Sequence, residues 1–190
     1  MDIAIFSDAS YGMISDRNSD KFVISIYGFI VLKVKNIKLI NNYIAGDYTE
    51  HKENIYIKRN IYYQETGVIN INDPDNPQKL GRLNSNKSEL VALFRAIKYC
   101  YLNEMKNVYF YSDSLTIINA LNGIYESSDI DLDLINQCRN LLFNIKDFKL
   151  SWVKRLSNKT ADRIVRERFI LEKNIILSKE SKEDFDYNYI

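Results

Sequence analysis

Val108-Tyr109-Phe110-Tyr111 is a short β-branched and aromatic run standing between two stretches of helical periodicity. That placement constrains the fold more than any other feature of the chain. Before the run, Leu90, Leu93, Phe94, Ile97 and Tyr101 recur at helical spacing and predict a helix from about Asn86 to Asn103. After it, Leu115, Ile118 and Leu121 predict a brief helix closed near Gly123, and Leu132, Ile135, Cys138, Leu141, Leu142 and Ile145 predict another. Phe148 to Val153 alternates as a strand, and Ala161 to Leu177 reads as a last helix. In the first half, Asp2 to Ser7 reads as a buried strand that delivers Asp8 at its end, where Asp8-Ala9-Ser10-Tyr11-Gly12 has turn chemistry. Phe22 to Val34 reads as a second strand. Strands first, then α-β-α-α-β-α, is the order of a mixed α/β domain built on one sheet.

The stretch from Lys35 to Leu83 is the least legible. Ile55 to Asn72 alternates well enough for one or two strands, and Asp73-Pro74-Asp75-Asn76-Pro77 holds both prolines and predicts a loop. With 190 residues, the chain is expected to form one domain over residues 1–177, the insert lying at about 35–83, followed by a polar tail over 178–190. A content of 46% apolar and 27% charged residues is that of a globular protein. No run approaches the roughly 20 apolar residues that span a bilayer, and the start lacks a basic leader, so an intracellular protein without a membrane is expected. Cys100 and Cys138 are too few and too distant in sequence for a disulfide framework, so no disulfide-linked partner is expected. A formal net charge of +1 argues against gripping nucleic acid by bulk electrostatics alone, while leaving room for a small basic face.

Four acids are the candidates for chemistry: Asp8, Glu89, Asp113 and Asp162. Each has an ordinary structural reading. Asp8 stands where a strand turns, and Asn86-Lys87-Ser88-Glu89 is also a capping box. Asp113 could cap the short helix after it, and Asp162 would favour the first turn of the last helix through the helix dipole. Their joint placement changes the weighing. Two acids end strands and two open helices, and ligands of α/β domains gather at the strand carboxyl ends. Clustered carboxylates repel one another and call for cations. Oxygen ligands without His or Cys favour Mg²⁺ or Mn²⁺. Two such ions about 4 Å apart can clamp the attacking water and the leaving oxygen of a phosphodiester.

The motifs resemble the ribonuclease H family. The resemblance runs through Ile3-Ala4-Ile5-Phe6-Ser7-Asp8-Ala9-Ser10, Tyr27-Gly28-Phe29-Ile30-Val31, Asn86-Lys87-Ser88-Glu89-Leu90-Val91-Ala92-Leu93 and Val108-Tyr109-Phe110-Tyr111-Ser112-Asp113-Ser114. It closes with Arg155-x-x-Asn158-x-x-Ala161-Asp162, which looks like the branch lacking the mobile-loop His. Proofreading exonucleases of the superfamily carry a D-x-E pair on strand one, where this chain has Ser10. Integrase-like relatives end on Glu, where this chain has Asp162. The resemblance implies a type 1 ribonuclease H-like fold: a single mixed five-stranded sheet flanked by helices, with an enlarged segment between the second strand and the first helix.

It also implies a metal-dependent endoribonuclease that hydrolyses the RNA strand of RNA–DNA hybrids, leaving 5′-phosphates, with two Mg²⁺ or Mn²⁺ ions per site. Asp8, Glu89, Asp113 and Asp162 would be the catalytic and metal-holding acids. Ser10, Tyr11, Gly12, Asn86, Ser114, Lys154, Arg155 and Asn158 would contact the substrate, with 2′-hydroxyls marking RNA. Asn86 reads equally as a helix cap. Three departures leave alternatives open, namely another nucleic acid as substrate or a catalytically weak binding module. The loop before the last helix holds no His; the only one, His51, lies in the insert. Asn122 to Ile135 carries Glu126, Asp129, Asp131 and Asp133 with no Lys or Arg, where family members that grip hybrids well are basic. Lys154 to Lys173, with seven basic residues against three acidic, could compensate or could be a solvated helix face. Tyr43, Tyr48, Tyr56, Tyr62 and Tyr63 of the insert could stack on a hybrid or sit half-buried in strands.

Overall fold

The computed structural model describes residues 1–15, 21–46, 56–69, 84–124 and 131–186. Five strands form one open sheet: β1 (Asp2–Ser15), β2 (Lys21–Val34), β3 (Ile61–Val68), β4 (Val108–Ser112) and β5 (Phe148–Trp152), in the order β3-β2-β1-β4-β5. β1 and β2 pair antiparallel, as do β2 and β3, whereas β4 runs parallel to both β1 and β5. The sheet is therefore mixed, as expected.

Helices cover both faces. On one lie α3 (Ser85–Leu102), α4 (Leu115–Leu121) and α5 (Leu132–Phe143), whose Leu90, Leu93, Ile97, Ile118 and Cys138 are buried with Ile3, Ile5, Phe29 and Phe110 of the sheet. On the other lie α6 (Lys159–Asp186) and α1 (Ile37–Ala45), with a helical turn at 56–60, α2, between α1 and β3. Here Ile40, Tyr43, Ile57, Ala161, Ile164 and Val165 bury Ala4, Phe6, Ile30 and Tyr111. Successive β1 residues thus feed alternate cores, Ile3 and Ile5 one and Ala4 and Phe6 the other. Each fully buried Phe or Ile side chain stabilises the fold by roughly 1.5–3 kcal/mol.

Four expectations are corrected. The Asp8–Gly12 segment is not a turn: β1 continues to Ser15, each residue paired with β2, because Tyr11, Met13 and Ile14 suit a strand and Gly12 is packed closely by Phe169. In the insert, α1 replaces an illegible stretch and α2 takes Ile57 out of the predicted strand, leaving β3 to begin at Ile61. α3 starts at Ser85 and is capped by Asn84, whose side chain accepts the Lys87 N–H at 2.8 Å, so Asn86 lies inside the first turn and does not cap it. Cys100 faces the core in α3, and Tyr101 is exposed. Finally, α6 begins at Lys159, after a 3₁₀ turn at Arg155–Asn158, and runs to Asp186, past Leu177. The proline loop at 73–77, Tyr48, His51, Glu126 and Asp129 lie outside the described residues.

Candidate active site

The sheet register brings the first two acids together. β1 and β4 pair in parallel up to Ser7 opposite Ser112, so Asp8 and Asp113 each follow the last paired residue of neighbouring strands. On the other side of β1, Asp8 pairs with Gly28 of β2. A Cβ at Gly28 would lie 2.5 Å from Val165 of α6, so the glycine lets that helix approach the strand pair. The first turn of α6 carries Asp162, one helical turn before Val165. Glu89 comes from the first half of α3, on the opposite face.

Oxygens of Asp8, Glu89 and Asp113 all lie within 4.8 Å of one another. Asp8 is 4% exposed. Burial, then the charges of Asp113 and Asp162, push its carboxyl up from 3.8 to about 7, against a hydrogen bond from the Ala9 N–H. Glu89 is raised well above the ordinary glutamate value, by burial first and then by Asp8 and Asp113. Its Oε2 is buried with no hydrogen-bond donor. An orphaned carboxylate oxygen facing two more carboxylates is a donor set suited to a hard divalent cation.

Asp162 stands apart from these three. It accepts from Arg155 at 3.2 Å and from Arg166, four residues on, at 3.0 Å. Its charge still reaches Asp8. Asp113 does not cap α4, whose N-cap is Ser114 without a side-chain bond; its Oδ1 accepts from Asn158 Nδ2 at 2.9 Å. Two bonds fix the turn that carries it: Trp152 Nε1 donates to the Asp113 carbonyl, and the Ser114 N–H donates to Ser112 Oγ, both at 3.1 Å.

The residues expected to meet substrate divide in two. Ser10 is half-buried and Tyr11 exposed on β1, Asn86 and Ser114 are half-buried, and Lys154 and Arg155 are exposed before α6. Gly12 lies under Phe169, and Asn158 is 1% exposed and faces inward. The expected acidic segment is partly neutralised: Asp131 Oδ2 lies 2.9 Å from Lys87 Nζ, and Asp131 also caps α5 through the Leu134 N–H. Sequence reasoning passed over this Lys87 bridge, although Lys87 stood within the quoted motif. Of the insert tyrosines, Tyr43 is buried, Tyr56 is half-buried and Tyr62 is exposed beneath Lys33. Tyr63 is half-buried and stacks on Tyr99 with centroids 4.3 Å apart.

An open mixed sheet with helices on both faces and carboxylates gathered where its two central strands cease to pair with each other is the ribonuclease H fold. The chain has a ribonuclease H-like fold. Residues 76–168 match the family described as reverse transcriptase-like. The ribonuclease H1 of the halophilic archaeon Halobacterium salinarum NRC-1 is 17% identical, with a TM-score of 0.57 over 86% of this chain and 93% of that one. The N-terminal RNase H domain of Rv2228c from Mycobacterium tuberculosis gives 17% identity and a TM-score of 0.57 over 88% and 92%. LC11-RNase H1, solved with an RNA/DNA hybrid, gives 16% and 0.54 over 87% and 94%. At these identities the likeness is one of fold. No curated protein matches. Among the described residues no helix is long and apolar enough to cross a membrane.

Proposed function

We propose that the chain is a divalent-cation-dependent endonuclease that hydrolyses the RNA strand of RNA–DNA hybrids, leaving 5′-phosphate ends. The observation that carries this reading is the convergence of Asp8, Glu89 and Asp113 oxygens within 4.8 Å. These three acids, with Asp162 as the fourth, would hold two Mg²⁺ or Mn²⁺ ions. Bound there, such ions supply an activated water and charge stabilisation for phosphodiester hydrolysis. The chain's own part is to bring the carboxylates together and keep them dry. Burial raises the Asp8 and Glu89 carboxyls above their ordinary values, so cation binding there would compete with protons. Ser10, Tyr11, Asn86 and Ser114 stand within three residues of these acids, Arg155 pairs with Asp162 and Lys154 precedes it, and all six would meet the hybrid. Gly12 would serve by letting α6 lie close to β1.

The LC11 relative carries a hybrid, which supports that substrate class here. The test is a labelled hybrid incubated with Mg²⁺ or Mn²⁺ beside double-stranded RNA and DNA. Cleavage of the RNA strand is expected, lost with EDTA and lowered by a factor of about 10²–10³ in Asp113→Asn, as for removal of a group central to charge stabilisation. Cleavage that survives both treatments would overturn the reading. Preference for double-stranded RNA or DNA would move the activity to another nucleic acid, and no turnover on any duplex would leave a binding module.

A further inference from the structure

Between β2 and β3, α1 starts beside Asp2, where the Ile37 N–H donates to Asp2 Oδ2 at 2.9 Å, and runs over the sheet toward the end that carries the acids. Ile40 and Tyr43 of α1 are buried in the same core as Phe6, Tyr111 and Ala161. The rings of Phe6 and Tyr43 meet edge to face at 6.4 Å, and Phe6 stacks on Tyr111 at 4.9 Å. Tyr111 donates its hydroxyl to Asn41 Oδ1 at 3.2 Å. The C-terminal end of α1 then reaches the 3₁₀ turn at Arg155–Asn158, where Ser157 Oγ donates to the Ile44 carbonyl at 3.4 Å. Tyr43, Ile57, Ser157 and Thr160 close around Phe6 and Ile30 with no water-sized void left between them.

Asn158 ends that turn and is 1% exposed. Its Nδ2 donates both to the Ser7 carbonyl and to Asp113 Oδ1, each at 2.9 Å. Both partners are acceptors only, so the amide nitrogen must face them and the orientation of the side chain is fixed by chemistry. The two bonds tie the residue before Asp8 to the carboxylate of Asp113. They set how two acids on neighbouring strands face one another, while mutual repulsion would splay them.

We propose that α1 is a brace for the Arg155–Asn158 turn, and that through it Asn158 acts as a positioning residue that holds the Asp113 carboxylate against Asp8. The proposal rests on reading these acids as a cation site. Residues that orient first ligands commonly carry 10–100-fold of metal affinity, and that range of about 10–100-fold is the effect expected here.

The test is Mn²⁺ affinity of the full chain by titration with EPR detection, with folding checked by circular dichroism. Asn158→Ala, and Asn158→Leu as a variant that fills the space but cannot donate, should each weaken Mn²⁺ binding by about 10–100-fold. Tyr43→Ala should weaken it in the same direction. It should also speed amide exchange in residues 155–160 while leaving residues 90–97 of α3 unchanged, which a uniform loss of stability would not do. Unchanged Mn²⁺ affinity in a folded Asn158 variant would overturn the positioning role. Unchanged exchange at residues 155–160 in Tyr43→Ala would overturn the brace, and stands as the deciding measurement if neither Asn158 variant folds. A wild-type chain that binds no Mn²⁺ would overturn the proposal and the nuclease reading together. One that binds Mn²⁺ and loses it in Asn158→Leu, yet cuts no duplex, would support the positioning role of Asn158 and overturn only the nuclease reading.

Discussion

Replacing Asp8 by Asn should stabilise the metal-free protein at pH 8, although it removes a buried polar contact. The Asp8 carboxyl is raised from 3.8 to about 7 in the folded chain, by burial first and by Asp113 and Asp162 after it. The folded state therefore holds this proton more tightly than the unfolded chain does. Its contribution is fully present below 3.8, where both states are protonated, and is lost as pH rises toward about 7. Above that, folding carries the whole cost of an ionised carboxylate in a buried, acidic place. A displacement of about three pH units is worth about 4 kcal/mol at 1.36 kcal/mol each. For a chain of this size, 1 kcal/mol corresponds to about 2–4 °C in Tm. Thermal unfolding in EDTA between pH 5 and 8 should therefore show a decline of several degrees in wild type that flattens in Asp8→Asn, leaving the variant more stable at pH 8. Adding Mn²⁺ at pH 8 should raise the wild-type Tm, because a ligand of the folded state stabilises it by mass action, and should do little for the variant. A parallel pH slope in the two proteins, or a lower Tm for Asp8→Asn at pH 8 in EDTA, would refute the account of a strained carboxylate cluster.

Gly28→Val should lower stability by about 1–3 kcal/mol, the usual cost of overpacking, because even a Cβ there lies 2.5 Å from Val165; a Tm within a degree of wild type would mean that α6 can move away at no cost. Lys87→Met should cost about 1 kcal/mol at pH 7 by leaving Asp131 without its cation, measured by urea unfolding. Burial acts to raise the Asp131 carboxyl, but the hydrogen bonds from Lys87 and the Leu134 N–H outweigh it and hold it below 3.8. That stability is present above 3.8 and is lost as pH falls further, so the difference between wild type and Lys87→Met should shrink in acid and persist at neutrality.

What the sequence disclosed depended on whether a signal was local. The β4 run, the α3 periodicity and the spacing of the four acids are patterns of a few residues each, and the structure carries Asp8, Glu89 and Asp113 to one place. The length of β1 was hidden because Asp8, Ser10 and Gly12 look like turn residues. What makes them strand is the unbroken pairing of Asp2 through Ser15 with β2, a tertiary fact that outweighs local preference. α1 was hidden for the opposite reason. Ile37, Ile40 and Ile44 do recur at helical spacing, with Asn36 accepting the Lys38 N–H and Gly46 at a φ of 82° closing the helix. Nine residues of periodicity beside the apolar run of β2 leave that stretch illegible. Asn158 could be read from its motif but not assigned its direction, since nothing local says that its amide turns inward to Ser7 and Asp113.

The same distinction accounts for the net charge of +1. A sum near zero describes neither end of the molecule. Asp8, Glu89 and Asp113 converge where the charge of Arg155 reaches them, while Asp162 pairs directly with Arg155 and Arg166. Asp131 takes Lys87 and leaves the surface field. Arg155, Arg166 and Lys87 thus pair with Asp162 and Asp131, while Asp8 lies buried with Glu89 and Asp113 half-buried beside it. A cluster whose burial and mutual repulsion raise Asp8 and Glu89 against the pull of Arg155 is under an electrostatic demand of the kind a small divalent ion meets and a lysine on a flexible stem would meet at the cost of the site.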